Sequence, residues 1–256
     1  EDLSALTLGD QVAGVTPAQA HAAVVGLAAH HARFWNGAGL ESAEFIPVIN
    51  GPLNQAGSAI YEASLPGFMA AFGDSIKPEL AGFVADYAAA RPQVLDDLAA
   101  MPRTLVHFDY RADNLFFDEN GTVVVIDWQA ISQGGGMADV GYFLSQNLGT
   151  EDRRAHESEL LRAYHDTLVT NGVTDYPFDT MLADYRVGYA ATLAPLVVDD
   201  KVIVGISGGE YATRGFIDAY DPRSGARLWR HYTVPAAGEP GSDSWPAAEL
   251  ATLALL

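Results

Sequence analysis

The chain has 256 residues, 49% of them hydrophobic, and carries a formal net charge of −19 at pH 7. That length can bury a substantial core, and the negative charge argues against nucleic acid and anionic membranes as partners, because like charges repel. The chain contains no cysteine, which excludes disulfides and thiol catalysis. The sequence has no apolar run that could span a membrane and no signal peptide at its start, so we expect a cytoplasmic protein.

Helical patterns dominate the first two-thirds of the chain. The clearest one has Thr16 as N-cap, Pro17 in the first helical position and Gln19 completing a capping box, and it ends at Asn36–Gly37. Pro92 is expected to stop the second helix. The predicted helices cover residues 16–37, 78–91, 151–172 and 179–193. Several histidines on these patterns are expected to be packing or surface residues rather than ligands: His30, His31, His156 and His165.

A β-hairpin is predicted inside this helical region. The segment NLFFDENGTVVVID contains two apolar runs joined through Asn120–Gly121, a pair that favours a tight hairpin turn. Asp118 and Glu119 lie at the turn and are interpreted as turn residues. The loop HFDYRADN precedes the hairpin. A glycine-rich loop follows it, before a helix that Asp139 is expected to cap.

The chain changes character near residue 194. From there the sequence is rich in strand-forming residues, has turn signals at residues 199–200 and 222–225, and shows no helical period. We therefore predict two domains, residues 1–193 and 194–256. The predicted fold class is α+β: a mainly helical lobe with a β-hairpin, followed by an antiparallel β segment.

The acidic residues around the hairpin have a spacing that indicates phosphoryl-transfer chemistry. His107, Asp109 and Asn114 form the pattern H-x-D-x-x-x-x-N, and the hairpin returns Asp127 to the side of Asn114. A carboxylate and an amide oxygen can then bind a hard divalent cation together. Asp109 stays within reach of a hydroxyl group or a water, as a general base must. Protein kinases use the same loop pattern.

The segments HFDYRADNLFF, VVVIDWQ and GGGMADVGYFLSQNL, together with LAAHHARFWNG and EDLSALTLGDQ further upstream, point to one family. Through these segments, residues 1–190 resemble the catalytic lobe of the aminoglycoside phosphotransferase and ecdysteroid-kinase-like small-molecule kinases. The resemblance implies a mainly helical kinase-like fold and a small-molecule substrate. It also implies that Asp109 is the catalytic base, that Asn114 and Asp127 are magnesium ligands, and that His107 and Asp139 brace the loop.

That family holds ATP with an N-terminal lobe, which bears a phosphate-covering loop and a strand lysine. The resemblance begins just downstream of the hinge between the two lobes, so we expect the N-terminal lobe to be missing. The chain has two lysines, Lys77 and Lys201, and neither lies in the sequence context of that strand lysine. We therefore expect negligible affinity for ATP.

The β-rich tail carries a different signature, A-x-D-x-x-[ST]-G-x-x-x-W, from Ala219 to Trp229. Residues 194–246 resemble a blade region of quinoprotein alcohol dehydrogenases, which are propellers that bind pyrroloquinoline quinone and calcium. By position, Ser207 would be a quinone contact and Glu210 a calcium ligand. A single blade fragment cannot form a complete cofactor pocket, so we expect a structural role for the tail and no bound quinone.

The segment GISGG in the tail also matches the nucleophile pattern G-x-S-x-G at Ser207. A nucleophile elbow needs a helix directly after the serine, whereas a glycine-rich β segment follows here. His231 is the only histidine further along the chain. The pattern is therefore not interpreted as a serine hydrolase site.

Three functions remain open from the sequence. We expect a metal-dependent hydrolase of activated phosphoesters or esters, in which Asp109 directs a water and a divalent cation, magnesium by resemblance, assists. The alternatives are an ATP-dependent small-molecule phosphotransferase and a non-catalytic remnant of the fold. We also expect the strand edges of the tail to pair with a second chain and give a homodimer.

Overall fold

A computed structural model describes residues 3–75, 78–191, 197–198, 201–206, 216–220 and 227–232. The chain divides into two compact units. The first unit comprises Glu1–Ser58 and Ala89–Leu193, and the second comprises Ala59–Ala88 and Ala194–Leu256. Helices dominate and the sheets are small and antiparallel, which confirms the predicted α+β class.

The helices and strands alternate irregularly along the chain. In order they are β1 (Thr7–Leu8), α1 (Pro17–Arg33), α2 (Pro52–Phe72), α3 (Pro78–Ala100), β2 (Arg103–Val106), β3 (Leu115–Phe117), β4 (Val123–Val125), β5 (Ser132–Gly135), α4 (Met137–Gln146), α5 (Thr150–Thr170), α6 (Phe178–Ala191), β6 (Val197–Val198), β7 (Lys201–Ile206), β8 (Phe216–Tyr220) and β9 (Arg227–Tyr232). Within the described residues no helix is both long and apolar enough to cross a bilayer.

Helix α1 begins where its sequence predicts but ends at Arg33, before the predicted Asn36–Gly37. The Thr16 hydroxyl accepts a hydrogen bond from the Gln19 backbone N–H at 3.3 Å, and the Gln19 side chain accepts one from the Thr16 N–H at 3.0 Å. The capping box is therefore confirmed. Asn36 and Gly37, at φ values of 55° and 82°, turn the chain after the helix. Helices α5 and α6 are confirmed as well, with ends within two residues of those predicted.

The prediction that Pro92 ends a helix is wrong, because α3 continues through it to Ala100. Leu95 and Leu98 are almost fully buried and extend the apolar stripe of the helix by two further turns. Burying each leucine stabilises the fold by about 1.5–3 kcal/mol, which together exceeds the roughly 3 kcal/mol that an interior proline costs. Tertiary packing therefore outweighs the local signal.

Helix α2 is not evident from the sequence. It contains Pro66 in its interior, and such a residue argues against a helix when the sequence is considered alone. Packing in the second unit supports it: the Tyr61 hydroxyl donates to the Val84 carbonyl at 2.8 Å, and its ring meets that of Tyr87 at 5.0 Å.

The sheets around the hairpin are short. Strand β3 pairs antiparallel with both β1 and β4, and β2 pairs antiparallel with β5. The Asp118 carboxylate accepts the backbone N–H groups of Asn120 and Thr122 at 2.8 and 2.7 Å, and Gly121 has a φ of 80°. The predicted hairpin is therefore confirmed, and Asp118 has the structural role expected at a turn.

The tail forms a four-stranded antiparallel sheet in the order β6-β7-β8-β9, so the predicted β segment is confirmed. Its strands are adjacent in sequence and pair with regular register, apart from an irregularity between Ala219 and Tyr220. Leu228 and Trp229 on β9 are 49% and 42% exposed. Ser207 and Glu210, the two candidate quinoprotein positions, lie outside the described residues.

Helices α4 and α6 cross at very close range in the first unit. A Cβ added at Gly188 would overlap the carbonyl oxygen of Met137, and one added at Gly141 would overlap the backbone at Gly188. Only glycine permits this approach of two helix backbones. The crossing matters for the site, because the first turn of α4 carries Asp139.

Candidate active site

A three-residue turn, His107 to Asp109, leaves the end of β2 and forms the centre of the candidate site. Phe108 within it has a φ of 64°, in the left-handed region that a phenylalanine rarely adopts. Such a conformation costs about 1–3 kcal/mol and persists only where the surroundings enforce it. Its neighbours should therefore include strong hydrogen-bond partners.

The carboxylate of Asp139 is that partner. One oxygen accepts the backbone N–H of His107 and the other accepts the N–H of Phe108, both at 2.7 Å, and the side chain is fully buried. The expectation that Asp139 caps α4 is therefore wrong: the N-cap is Gly136, and Asp139 lies in the first turn. The two loop N–H groups occupy the carboxylate that could otherwise have capped the helix.

The surroundings of Asp139 favour its charged form despite its burial. Burial alone would raise the pKa of its carboxyl, but the hydrogen bond from His31, the charge of that imidazole and the loop N–H donor of His107 lower the pKa below its ordinary value. The His31 Nε2 lies 3.2 Å from the same carboxylate. A buried carboxylate with three donors is one of the few buried charges that a protein can hold ionised.

His107 ties the turn to the far end of the hairpin. Its Nε2 lies 2.8 Å from the Ile126 carbonyl oxygen, which can only accept, so the proton is on Nε2. Its Nδ1 then accepts the Asp109 N–H at 3.3 Å. The His107 imidazole therefore fixes both Asp109, the predicted general base, and Ile126, the residue before Asp127.

The hairpin brings the remaining predicted site residues together. The Asn114 amide nitrogen donates to the Asp109 carbonyl at 2.9 Å and to its carboxylate at 3.1 Å. The Ile126 N–H donates to the Asn114 carbonyl at 3.0 Å, so Asp127 follows directly beside Asn114. Asp127 has φ and ψ values of 60° and 59°, a left-handed conformation that turns the chain sharply at this point.

Asp109 has the environment of a moderately activated base. Its side chain is 28% exposed, and Arg111 Nε lies 3.4 Å from its carboxylate. Burial raises the pKa of Asp109 above its ordinary value, while the charge of Arg111 and the hydrogen bond from Asn114 lower it in part. The side chain of Tyr142, on α4, interacts with Asp109 and with Gln11. Asp109 therefore keeps a polar, partly open side toward solvent.

The oxygen atoms available here suit a hard cation that takes a few ligands from the protein and the rest from water and phosphate. Because the Asn114 nitrogen is committed to Asp109, its amide oxygen is the atom left for a metal, and the Asp127 carboxylate is the second candidate ligand. No group of three or more histidine, aspartate or glutamate side chains able to hold a metal occurs among the described residues. The pair fits magnesium, which takes one or two protein oxygens and completes its shell with water and phosphate oxygens.

The histidines of the helices are packing or hydrogen-bonding residues, as expected, but His31 has a larger role than that expectation gave it. It is fully buried and lies between Asp139 and the Tyr164 hydroxyl, which is 2.7 Å from its Nδ1. His30 lies 2.9 Å from the Leu105 carbonyl, and burial lowers its pKa to about 4. Each contact crosses more than 70 residues of chain, which no sequence pattern reveals.

Comparisons with known proteins divide along the chain. A family model described as "Uncharacterized oxidoreductase dhs-27" (DUF1679) matches residues 89–200. The choline kinase LicA from Streptococcus pneumoniae has a TM-score of 0.36 and 14% identity, over 75% of this chain and 68% of that one. Residues 1–190 resemble the catalytic lobe of small-molecule kinases.

The other likeness is to quinoprotein dehydrogenases. The quinohemoprotein alcohol dehydrogenase ADH-IIG of Pseudomonas putida is 47% identical over 58 residues, which are 23% of this chain and 8% of that protein. The lanthanide-dependent methanol dehydrogenase of Methylacidiphilum fumariolicum is 53% identical over 85 residues, 26% of this chain and 14% of that protein. The chain thus spans less than a sixth of these relatives, and residues 194–246 resemble one of their blade fragments.

None of these matches is named as a hydrolase. The expectation of a metal-dependent hydrolase therefore has no support from known proteins. A kinase-like phosphotransferase centre is the interpretation that both the site residues and the resemblance favour.

Proposed function

We propose that this chain carries the acceptor-binding and metal-binding half of a phosphoryl-transfer centre that phosphorylates a small hydroxyl compound. The observation that carries the proposal is the linked arrangement of Asp109, Asn114 and Ile126, in which Asn114 contacts both the base and the segment that leads to Asp127. Phosphoryl transfer needs little covalent chemistry from the protein, so positioning of this kind is the main contribution expected.

Asp109 is the proposed base. Its carboxylate would accept the proton of the acceptor hydroxyl as that oxygen attacks the phosphorus, while Arg111 and Asn114 hold the carboxylate in place. Tyr142 lies at the same carboxylate, with Gln11 beside it, and both would contact the acceptor. Removing a positioned general base lowers the rate by about 10²–10⁴-fold.

Asn114 and Asp127 are the proposed ligands of a divalent cation, magnesium by resemblance. When bound, the cation would neutralise charge on the phosphate oxygens during transfer. The protein contributes fixed oxygens: Asn114 is held by its hydrogen bonds to Asp109, and Asp127 is fixed by its left-handed backbone and by Gln129, whose amide donates to it at 3.3 Å.

The charge of the chain favours a cationic acceptor. A net charge of −19 attracts a small amine or quaternary ammonium compound and repels an anionic one. The acceptor class we propose is therefore a small, positively charged molecule with a free hydroxyl group.

The test is a phosphotransfer assay with magnesium and a panel of hydroxylated amines, with anionic sugars as the contrasting set, and with ATP in large excess because its affinity is expected to be negligible. Asp109→Asn should lower turnover by about 10²–10⁴-fold. Asp166→Asn, which changes an exposed carboxylate on α5, is the matched control and should be unchanged. Phosphate release that needs no acceptor would move the assignment to hydrolysis, and activity retained in Asp109→Asn would refute the assigned base.

Metal binding is tested separately by calorimetry with magnesium and manganese. Asp127→Asn should weaken cation binding. The melting temperature should stay nearly unchanged, because the side chain is partly exposed and is not part of the core. Cation binding that is equal in the wild type and this variant would place the metal elsewhere.

A further inference from the structure

We infer that His31 is a positioning residue for the candidate active site: it holds the Asp139 carboxylate against the 107–109 turn and so keeps Asp109 in place. His31 lies on helix α1, far in sequence from Asp109, which lies in the 107–109 turn. For its kinetic readout it rests on the proposed phosphotransfer function; its structural readout does not.

The contacts form one continuous series through the core of the first unit. The Tyr164 hydroxyl on α5 lies 2.7 Å from His31 Nδ1, and His31 Nε2 lies 3.2 Å from Asp139 on α4. Asp139 in turn accepts the N–H groups of His107 and Phe108. All three side chains of this series, Tyr164, His31 and Asp139, have 0% exposure.

Burial makes the imidazole necessary. The Asp139 oxygen that accepts the His107 N–H also receives His31, and no other side-chain donor to that carboxylate occurs among the described residues. Without His31, a fully buried carboxylate would keep only two backbone donors. Such a group tends to rotate, take up a proton or admit water, and each of these loosens its hold on the turn.

Backbone strain makes the hold on the turn consequential. Phe108, at a φ of 64°, carries the second of the two N–H groups that Asp139 accepts, and a relaxed Phe108 would redirect Asp109, the next residue. His31 is itself fixed at its backbone, because the Thr104 hydroxyl of β2 donates to the His31 carbonyl at 2.8 Å. The strand that leads into the turn and the helix that carries His31 are thereby held in register.

The experiment compares three variants of the full chain. His31→Met removes the donor at similar volume, His31→Gln keeps an N–H donor for Asp139, and Leu27→Ala disturbs the same helix core without touching the loop. Amide hydrogen exchange by NMR is the structural readout. In His31→Met the N–H groups of His107 and Phe108 should exchange about tenfold faster relative to the core amides, and His31→Gln should restore most of the protection.

The kinetic readout is the split between kcat and KM. A misdirected base lowers kcat, so His31→Met should lose about tenfold or more in kcat with the acceptor KM little changed, and His31→Gln should recover most of it. If phosphotransfer is absent in the wild type, the proposed function fails while the exchange result still decides the positioning role.

A uniform change in exchange across the first unit, as expected for Leu27→Ala, would overturn the inference and leave His31 as a packing residue. If His31→Met does not fold, Tyr164→Phe decides instead, because it frees the ring at Nδ1 without removing the Asp139 contact. Faster exchange confined to residues 107 and 108 then upholds the positioning role, and uniform or unchanged exchange refutes it.

Discussion

Two carboxylates of the candidate site have opposite surroundings. Asp139 is fully buried, and its donors lower the pKa of its carboxyl; Asp109 is partly exposed, and burial raises the pKa of its carboxyl. The two carboxyl groups therefore differ in how readily they take up a proton. Asp139 resists protonation and is suited to a fixed structural charge, whereas Asp109 accepts a proton more readily and is suited to a base.

The first prediction concerns Arg111. A base must be ionised, so activity falls as the pH drops through the pKa of Asp109, and the positive charge of Arg111 lowers that pKa. Arg111→Gln should therefore move the acid limb of the kcat/KM profile to higher pH. Arg154→Gln, on the exposed side of α5, is the control and should leave the limb in place. A shift to lower pH would contradict the assignment of Asp109 as the base.

The second prediction concerns the stability that Asp139 provides. In Asp139→Asn one loop N–H faces the amide NH2 group, which cannot accept a hydrogen bond. The change should lower the free energy of unfolding by about 3–5 kcal/mol at pH 7. Because the folded state lowers the pKa of this carboxyl below its ordinary 3.8, the contribution is complete above that pH and is lost as pH falls through the folded value. Urea unfolding at neutral and strongly acid pH measures it; an equal loss at both would argue against a charged Asp139.

Among the helices and strands, the features that depend on neighbouring residues could be predicted from the sequence. The capping box at Thr16 and the turn at Gly121 involve atoms a few residues apart, so both could be recognised from the sequence. The continuation of α3 past Pro92 and the helix around Pro66 could not, because distant apolar partners outweigh a proline that argues against a helix locally.

The candidate site divides in the same way. The convergence of Asp109, Asn114 and Asp127 is predictable because one hairpin joins them. The orientation of Asp139 and the identity of its partner His31 are not, because 108 residues separate these two and the packing of α1 against α5 and of α5 against α4 brings them together. A buried carboxylate selects among several donors, and the sequence does not rank them.

The third prediction concerns the crossing of α4 and α6. Gly188→Ala should destabilise the first unit by several kcal/mol, since the added methyl group overlaps the Met137 backbone. Gly82→Ala in α3 is the control; its methyl group meets nothing within 4 Å, and the change should stabilise the helix by about 0.5–1 kcal/mol. Thermal unfolding compares the two. Equal melting temperatures would show that the helices separate without cost.

At the scale of the whole molecule, two unrelated likenesses occur in one chain, and the structure divides into two units. The second unit combines residues 59–88 with residues 194–256, so the β-rich tail shares a compact unit with a helical segment from the middle of the chain. A short antiparallel sheet is marginally stable by itself in water, so the tail needs a partner surface.

The fourth prediction follows from that grouping. Deleting residues 195–256 removes most of the second unit and should expose apolar side chains of residues 59–88, giving an aggregated or molten product. Light scattering and binding of a hydrophobic dye measure this, and the same experiment on the full chain tests for a homodimer through the tail. A truncated chain that stays soluble, monomeric and active would show that the tail is dispensable.

The position of Trp128 has an optical consequence. Its indole is 37% exposed, follows Asp127 directly, and lies tilted against the rings of His107 and His30 at centroid distances of 4.7 and 5.0 Å. Tryptophan emission responds to adjacent charge, so binding of magnesium at Asp127 should change the fluorescence, and Trp128→Phe should remove the change. Protonated histidine quenches indole, and because the pKa of His30 is lowered to about 4, the quenching that His30 contributes should begin only in acid. The candidate site therefore carries its own reporter, which needs neither a substrate nor a label.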